Sequence, residues 1–235
     1  MTRHGRLPGV LVPSRLLGSP TQRPPAASGL HASALGHPGH PATTPTLLIA
    51  MFDNSGSVVT PGGTDPTSNR FAEVDAAFSL VARHGTRREL GAVLHFDTPS
   101  RGDVPPLPLQ RRNLPRLRAG LRLPHGDAGC SVLGPSLTRA TALADAHPDH
   151  ATTLVVLSDF LLLDDDPAKA MTDLAAFPGD VHAVVLGNAV PASRFASPIS
   201  VTPITRDARP GAVARALLRS LTTHRPGSAI PGEPP

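Results

Sequence analysis

Residues 47–57 read Leu-Leu-Ile-Ala-Met-Phe-Asp-Asn-Ser-Gly-Ser, and this stretch decides how the rest of the chain is interpreted. Its six leading apolar residues are typical of a strand buried on both faces of a parallel sheet. Asp53 follows the run directly, at the carboxyl end where such sheets hold their functional residues. Ser55 and Ser57 come next, at alternate positions in a loop that Gly56 allows to bend tightly. A carboxylate and two hydroxyls on one short loop predict an all-oxygen site that suits Mg²⁺ better than Zn²⁺.

Length and charge narrow the class of protein. The 235 residues suffice for one sizeable domain, and a hydrophobic content of 40% is ordinary for a globular core. The formal net charge of +4 arises in residues 1–43, which hold four arginines and no acid, whereas the remaining 18 basic and 18 acidic groups balance. The basic surplus therefore belongs to a terminal segment rather than to a binding face, and we expect no nucleic-acid partner.

Cysteine usage and hydropathy bear on the compartment. Cys130 is the only cysteine, so no intrachain disulfide can form and an extracellular disulfide scaffold is not indicated. No apolar run approaches the roughly 18 residues of a membrane span. Pro8 and Pro13 interrupt what would have to be the apolar region of a signal peptide. We expect a cytoplasmic protein that makes no membrane contact.

The chain divides into one domain between two tails. Residues 1–43 are rich in Pro, Gly, Ala, Ser, Arg and His and predict a disordered basic tail, and the Pro/Gly-rich residues 225–235 predict a second one. Within residues 44–224, apolar runs alternate with segments of helical periodicity. Strands are expected near 47–52, 90–96, 152–157, 181–186 and 199–204, with a short edge strand at 104–109. Helices are expected over 69–84, 111–121, 164–176 and 211–221. A further helix is expected to follow the glycine-rich loop 125–134 and to end near residue 146. This alternation predicts an α/β fold with a doubly wound, mostly parallel sheet flanked by helices.

Two further segments supply oxygen ligands in a fixed order. Ser131 lies in the glycine-rich loop 125–134, and Asp159 follows the strongly β-branched run 152–157. The pattern Asp-x-Ser-x-Ser at 53–57, followed by these two residues, resembles the metal-ion-dependent adhesion site of von Willebrand factor A (VWA) domains. The resemblance covers about residues 44–222 and implies the VWA fold, which is Rossmann-like.

The resemblance also implies the chemistry of the site. It assigns a Mg²⁺ ion, with Mn²⁺ or Ca²⁺ as alternatives, to the side chains of Asp53, Ser55, Ser57, Ser131 and Asp159. In this family the hydroxyls bind the ion directly and the carboxylates partly through water. An acidic side chain of a protein partner fills the open coordination position. Because the ion has few protein charges around it, it stays electrophilic and favours such a carboxylate.

Two positions depart from the pattern of the family. Ser131 replaces the usual threonine, which keeps the hydroxyl but loses the methyl group that restricts its rotamers. Phe160 replaces the glycine after the third-loop aspartate. We expect its side chain either to crowd the metal face or to offer a ligand an apolar contact.

The expected function is that of a non-enzymatic, metal-dependent protein–protein interaction module. Family members of the intracellular bacterial type imply an accessory or scaffold subunit of a larger complex, including complexes with ATPase partners. A metal-free scaffold of the same fold is the first alternative. In that alternative Asp53 and Ser57 cap the first helix, and Asp159 hydrogen-bonds the same loop.

A serine hydrolase is the second alternative. Ser131, Asp159 and a later histidine, His182 or His224, follow the chain order of α/β-hydrolase triads. However, residues 129–133 lack the glycine two positions after the serine, and no convincing strand leads into them. No P-loop motif is present, so the chain is not itself predicted to be a P-loop ATPase.

Overall fold

A six-stranded sheet forms the centre of the computed structural model, which describes residues 44–65, 68–96, 99–124, 128–188, 190–205 and 208–223. The predicted tails lie outside these ranges, as do residues 125–127 and 224. Within the described ranges the strands are β1 (Thr46–Phe52), β2 (Leu90–His95), β3 (Val104–Pro108), β4 (Ala151–Ser158), β5 (Asp180–Leu186) and β6 (Ser200–Ile204). Their order across the sheet is β3-β2-β1-β4-β5-β6, and every pair is parallel except β2 with β3. The predicted α/β class with a doubly wound, mostly parallel sheet is confirmed.

Helices connect the strands at nearly the predicted positions. They are α1 (Gly56–Val59), α2 (Asn69–His84), α3 (Leu114–Gly120), α4 (Gly134–Asp145), α5 (Pro167–Ala175) and α6 (Ala212–Thr223), with a short 3₁₀ turn at Ala192–Arg194. The four-residue α1 was not predicted, because it is too short to show periodicity. The helix expected over 111–121 begins only at Leu114, where Pro115 takes the early position that suits its missing N–H.

The central strand β1 separates two apolar cores. All seven of its residues are buried. Leu48, Ala50 and Phe52 pack into one cluster with residues of α2 and α6, and the intervening residues pack into the other with residues of α4 and α5. The edge strand β3 contains three prolines, which a central strand would not tolerate.

The topology places the end of β1 at the middle of one sheet edge. From β1 the chain passes to β2 and β3 on one side and then returns to β4 on the other side. Strand order therefore reverses at β1 and β4, and open α/β sheets bind ligands at such a point, outside the carboxyl ends of the strands. None of the helices in the described ranges has the length and apolarity that a membrane crossing requires.

Candidate metal centre

Asp53 lies at this reversal point and joins three loops. Its side chain is fully buried, and its backbone N–H donates to the carbonyl of Leu157 in β4. Oδ1 accepts the backbone N–H of Ser55 at 2.8 Å. Oδ2 accepts the hydroxyls of Ser158 at 2.6 Å and of Ser131 at 3.0 Å. Two of the predicted ligand loops thus meet directly at one carboxylate oxygen, and Ser158 next to Asp159 brings the third loop to it.

Ser55 and Ser57 form the outer part of the site. Their Oγ atoms lie 3.0 Å apart, with Ser55 buried and Ser57 exposed. A bridge between Ser55 and Gly129, with the Gly129 N–H donating to the carbonyl of Asn54 at 2.8 Å, ties this loop to the one that carries Ser131. The candidate site therefore opens to solvent on the side of Ser57.

Capping of the following helix does not account for these side chains. Ser55 stands at the N-cap of α1 and its side chain makes no capping hydrogen bond. The Oδ1 of Asp53 accepts the N–H of Ser55, which precedes the helix. In the metal-free alternative we expected Asp159 to hydrogen-bond the first loop; instead its Oδ1 accepts the N–H of Leu161 in its own loop, at 3.1 Å.

The second carboxylate oxygen of Asp159 indicates whether the residues of the site suit a cation. Asp159 is fully buried, and its Oδ2 has no hydrogen-bond partner within the described ranges. Buried polar atoms in folded proteins almost always have partners, and leaving a charged one without any is costly. A hard cation would provide the missing interaction, and carboxylate and hydroxyl oxygens are the ligands that such a cation prefers. The residues present therefore fit the predicted ion.

Electrostatics at Asp53 point the same way. Burial raises the pKa of Asp53, and the nearby negative charge of Asp159 acts in the same direction. Hydrogen bonds from Ser158 and Ser55 act against this rise in the pKa. Because burial disfavours the ionised form of Asp53, a cation bound at this site would favour that form.

A buried arginine that sequence reasoning missed fixes the first loop. The Nη2 of Arg70 donates to the carbonyl of Asp53 at 3.1 Å and to Oδ1 of Asn54 at 3.0 Å, and its Nη1 pairs with Asp65 at 2.7 Å. Arg70 lies on the buried side of α2, four residues before the core residue Val74. A charged residue at helical spacing within the apolar face is the signal that was available in the sequence.

Asn54 extends this network to His95. Its Nδ2 donates to Nδ1 of His95 at 2.8 Å, and Nε2 of His95 donates to the carbonyl of Gly120 at 2.8 Å. Burial lowers the pKa of His95, which favours the neutral ring that this arrangement requires. His95 is therefore a positioning residue with two satisfied nitrogens.

The two departures from the family pattern take different roles. Ser131 is buried, and its hydroxyl remains aimed at Asp53. Phe160 has a φ of +57°, the left-handed conformation that glycine adopts most easily and that costs other residues roughly 1–2 kcal/mol. Its ring packs edge-on against Phe195, with centroids 4.8 Å apart, in the apolar cluster that contains Leu133. The side chain thus packs into the core, and it also lines an apolar groove beside the site.

The structure does not bring His182, a candidate of the hydrolase alternative, into contact with Ser131. In β5, the ring of His182 contacts the hydroxyl of Ser220 through Nδ1 and that of Thr202 through Nε2. The hydroxyl of Ser131 donates to Asp53 and not to this ring. The other histidine considered, His224, lies outside the described residues.

The comparisons with known proteins show the fold. No protein-family model and no curated protein matches the sequence. The von Willebrand factor type A protein from Catenulispora acidiphila is similar in structure with a TM-score of 0.57 and 15% identity over 77% of this chain and 43% of that one. The pilus adhesin SpaC from Lactobacillus rhamnosus GG gives a TM-score of 0.59 and 12% identity over 77% of this chain and 30% of that one. The proximal thread matrix protein 1 from the mussel byssus gives a TM-score of 0.50 and 14% identity over 76% of this chain and 46% of that one.

These likenesses define the class of protein by its fold. The chain has the VWA fold, with the strand order and the helical layers described above. It spans less than half the length of each of these three solved structures. Identities this low concern the fold alone.

Proposed function

We propose that this chain is a metal-ion-dependent protein-interaction module, whose site at the carboxyl edge of the sheet binds Mg²⁺ and presents it to an acidic side chain of a protein partner. The observation that carries the proposal is the fully buried Asp159, whose Oδ2 lacks a partner in the described structure, in the same site as Asp53 and three hydroxyls. Asp53, Ser55, Ser57, Ser131 and Asp159 would hold the ion, with Mn²⁺ or Ca²⁺ as alternatives. When bound, the ion supplies a positive centre for a carboxylate ligand.

The residues around the site keep it organised for binding. Ser131 and Ser158 hold the Oδ2 of Asp53, while Arg70 holds its carbonyl. The exposed residue Ser57 marks the side from which a partner would approach. The proposal assigns no catalytic step to the chain and places it in the cytoplasm, as an accessory or scaffold subunit of a larger bacterial complex.

A metal-free scaffold is the second candidate, and one observation favours it. Both oxygens of Asp53 accept hydrogen bonds from the protein itself, so this residue needs no ion to be satisfied. Only Asp159 distinguishes the two candidates, which makes it the residue to test.

The test is a calorimetric titration of Mg²⁺ into the full chain and into Asp159→Asn. The substitution keeps the shape of the side chain and removes its charge, so we expect the wild-type heat of binding to weaken by at least about tenfold, which is about 1.4 kcal/mol. Asp75→Asn is the matched control, because Asp75 lies on α2 in a partly exposed ion pair with Arg118. It should bind as the wild type does.

The outcomes separate the two candidates. Binding by the wild type and the control, lost in Asp159→Asn while the circular dichroism of all three agrees, supports the metal module. Equal heats in all three chains, or no heat in any of them, would favour the metal-free scaffold.

A further inference from the structure

An apolar groove of about 620 Å³ lies beside the candidate metal site. All but two of the described residues that line it are apolar, the exceptions being Thr172 and Arg194. Phe160, Leu161 and Leu162, the three residues directly after Asp159, belong to its wall. One loop therefore supplies both a candidate ligand of the metal and a wall of the groove.

Hydrogen bonds fix this wall to the candidate ligands. The N–H of Leu161 donates to Oδ1 of Asp159 at 3.1 Å. The N–H of Leu163 donates to the carbonyl of Ser131 at 2.7 Å. The loop that forms the wall is thus tied, at Leu161 and just beyond the wall at Leu163, to two of the five residues that would hold the ion. A partner that reaches the ion would therefore meet the groove in a fixed relation to it.

The same loop contains the two large hydrophobic residues that are exposed in the described part of the chain. Leu161 is 48% exposed and Leu163 is 67% exposed. Single exposed leucines are common on protein surfaces, but here two of them stand within four residues of a buried candidate ligand and next to an apolar groove. Contact with a partner would remove this apolar surface from water.

The one charge among the described residues that line the groove favours an acidic occupant. Arg194 is exposed and forms no ion pair in the described part of the chain. The three acids of the neighbouring loop, residues 164–166, do not line the groove, and two of them serve helix starts: Asp164 accepts the N–H groups of Leu133 and Gly134, and Asp166 accepts that of Lys169. Among the described lining residues, Arg194 alone carries a charge, and that charge complements a carboxylate.

We infer that this groove docks an acidic segment of the protein partner: one carboxylate reaches the metal ion, a neighbouring large apolar side chain enters the groove, and a second acid pairs with Arg194. The inference rests on the proposed function and adds to it the chemistry of the partner. The carboxylate would bind the segment to the ion, and the apolar side chain would determine which acidic segments bind best.

The experiment selects peptides from a random display library on the full chain in the presence of Mg²⁺. We expect the enriched peptides to share an acid and a large apolar residue at a fixed spacing.

Synthetic peptides with that pattern are then titrated into the wild type, Asp159→Asn and Met171→Glu. Met171 lines the groove from α5, so a carboxylate there should weaken the peptide by about tenfold or more while the calorimetric Mg²⁺ binding stays unchanged. Ala176→Glu, exposed at the end of α5, is the matched control.

Each outcome decides one of the two claims. Peptide binding lost in EDTA, in Asp159→Asn and in Met171→Glu, but kept in Ala176→Glu, supports the groove. Peptides that need only an acid and bind Met171→Glu like the wild type would overturn the groove and leave the proposed function standing, as would a library without enrichment on a chain that binds Mg²⁺. Peptides that bind equally well in EDTA would overturn the metal dependence itself. A dimer in sedimentation that Met171→Glu dissociates would assign the groove to a second copy of the chain and overturn the acidic partner.

Discussion

His182 shows at the scale of one residue how burial sets a charge state. The ring is buried between β6 and α6, where it contacts the hydroxyls of Thr202 and Ser220. Burial, together with the positive charge of Arg219, lowers the pKa of His182 to about 4. The folded chain therefore holds this ring neutral in a pH range where an unfolded chain would protonate it.

The stability of the protein should fall accordingly in mild acid. In the unfolded chain the pKa of this histidine returns to about 6.5, so below that pH the unfolded state takes up a proton that the folded state does not. The free energy of unfolding should fall by roughly 2 kcal/mol between about pH 7 and about pH 5 because of this group, and the loss should level off below the folded pKa. Urea unfolding of the wild type and of His182→Gln measures it, since the variant should lack this part of the pH dependence.

A matched variant isolates the effect from other titrating groups. His84→Gln, at the exposed end of α2, should keep the pH dependence of the wild type. If His182→Gln and the wild type lose the same free energy between the two pH values, burial of this ring does not govern acid stability.

The site residues differ in how visible they are in the sequence. Asp53 and Asp159 each follow an apolar run, so the end of a buried strand predicts their place at one edge of the sheet. The spacing of Arg70 in α2 indicated its burial but not its role, because only the folded loop brings two of its acceptors, the carbonyl of Asp53 and the side chain of Asn54, to α2. Ser131 was predicted as a ligand by order alone; its hydrogen bond to Asp53 spans 78 positions of sequence.

At the scale of elements, periodicity and strand composition predicted the regular structure well. The face of α2 made by Phe71, Val74, Phe78 and Val81 is buried as its spacing indicates. What sequence could not predict is how helix ends are completed across the fold. The carboxylate of Glu73 in α2 accepts the N–H groups of Gly211, Val213 and Ala214 at the start of α6, at 2.7–3.1 Å. Glu73 lies about 140 residues before the N–H groups that it caps, so no short sequence motif indicates this cap.

Removal of this cap should destabilise the packing of α6 on α2. Glu73→Ala leaves N–H groups at the start of α6 without their acceptor and removes a negative charge from the positive end of the helix dipole. We expect the free energy of unfolding to fall by about 1–2 kcal/mol, measured by urea unfolding. Asp75→Ala, two residues away in the same helix, breaks only the partly exposed pair with Arg118 and should cost less than about 1 kcal/mol. Equal losses in the two variants would show that the cap contributes nothing of its own.

At the scale of the whole molecule, the candidate site and the two cores are distinct parts of the structure. The cores lie on the two faces of the sheet and consist of apolar side chains. The candidate ligands all lie at one edge, in the loop and the short helix α1 that follow β1, in the loop before α4 and in the loop after β4. Neither core contains a candidate ligand, so the apolar packing of the fold and the candidate site are built from separate sets of residues.

Binding of Mg²⁺ should accordingly protect this one edge against hydrogen exchange. The amides of Ser55, Leu161 and Leu163 donate to atoms of the candidate ligands, so they should open together with the site. With Mg²⁺ at about a hundredfold excess over its dissociation constant, their opening should cost up to about 2.7 kcal/mol more, and their exchange should slow by up to about a hundredfold. Amides in α6 that exchange by local fraying should not change. Exchange measured by mass spectrometry with and without Mg²⁺, in the wild type and in Asp159→Asn, tests this pattern. Protection that is uniform along the chain, or that survives in the variant, would mean that the ion binds elsewhere or acts on the fold as a whole.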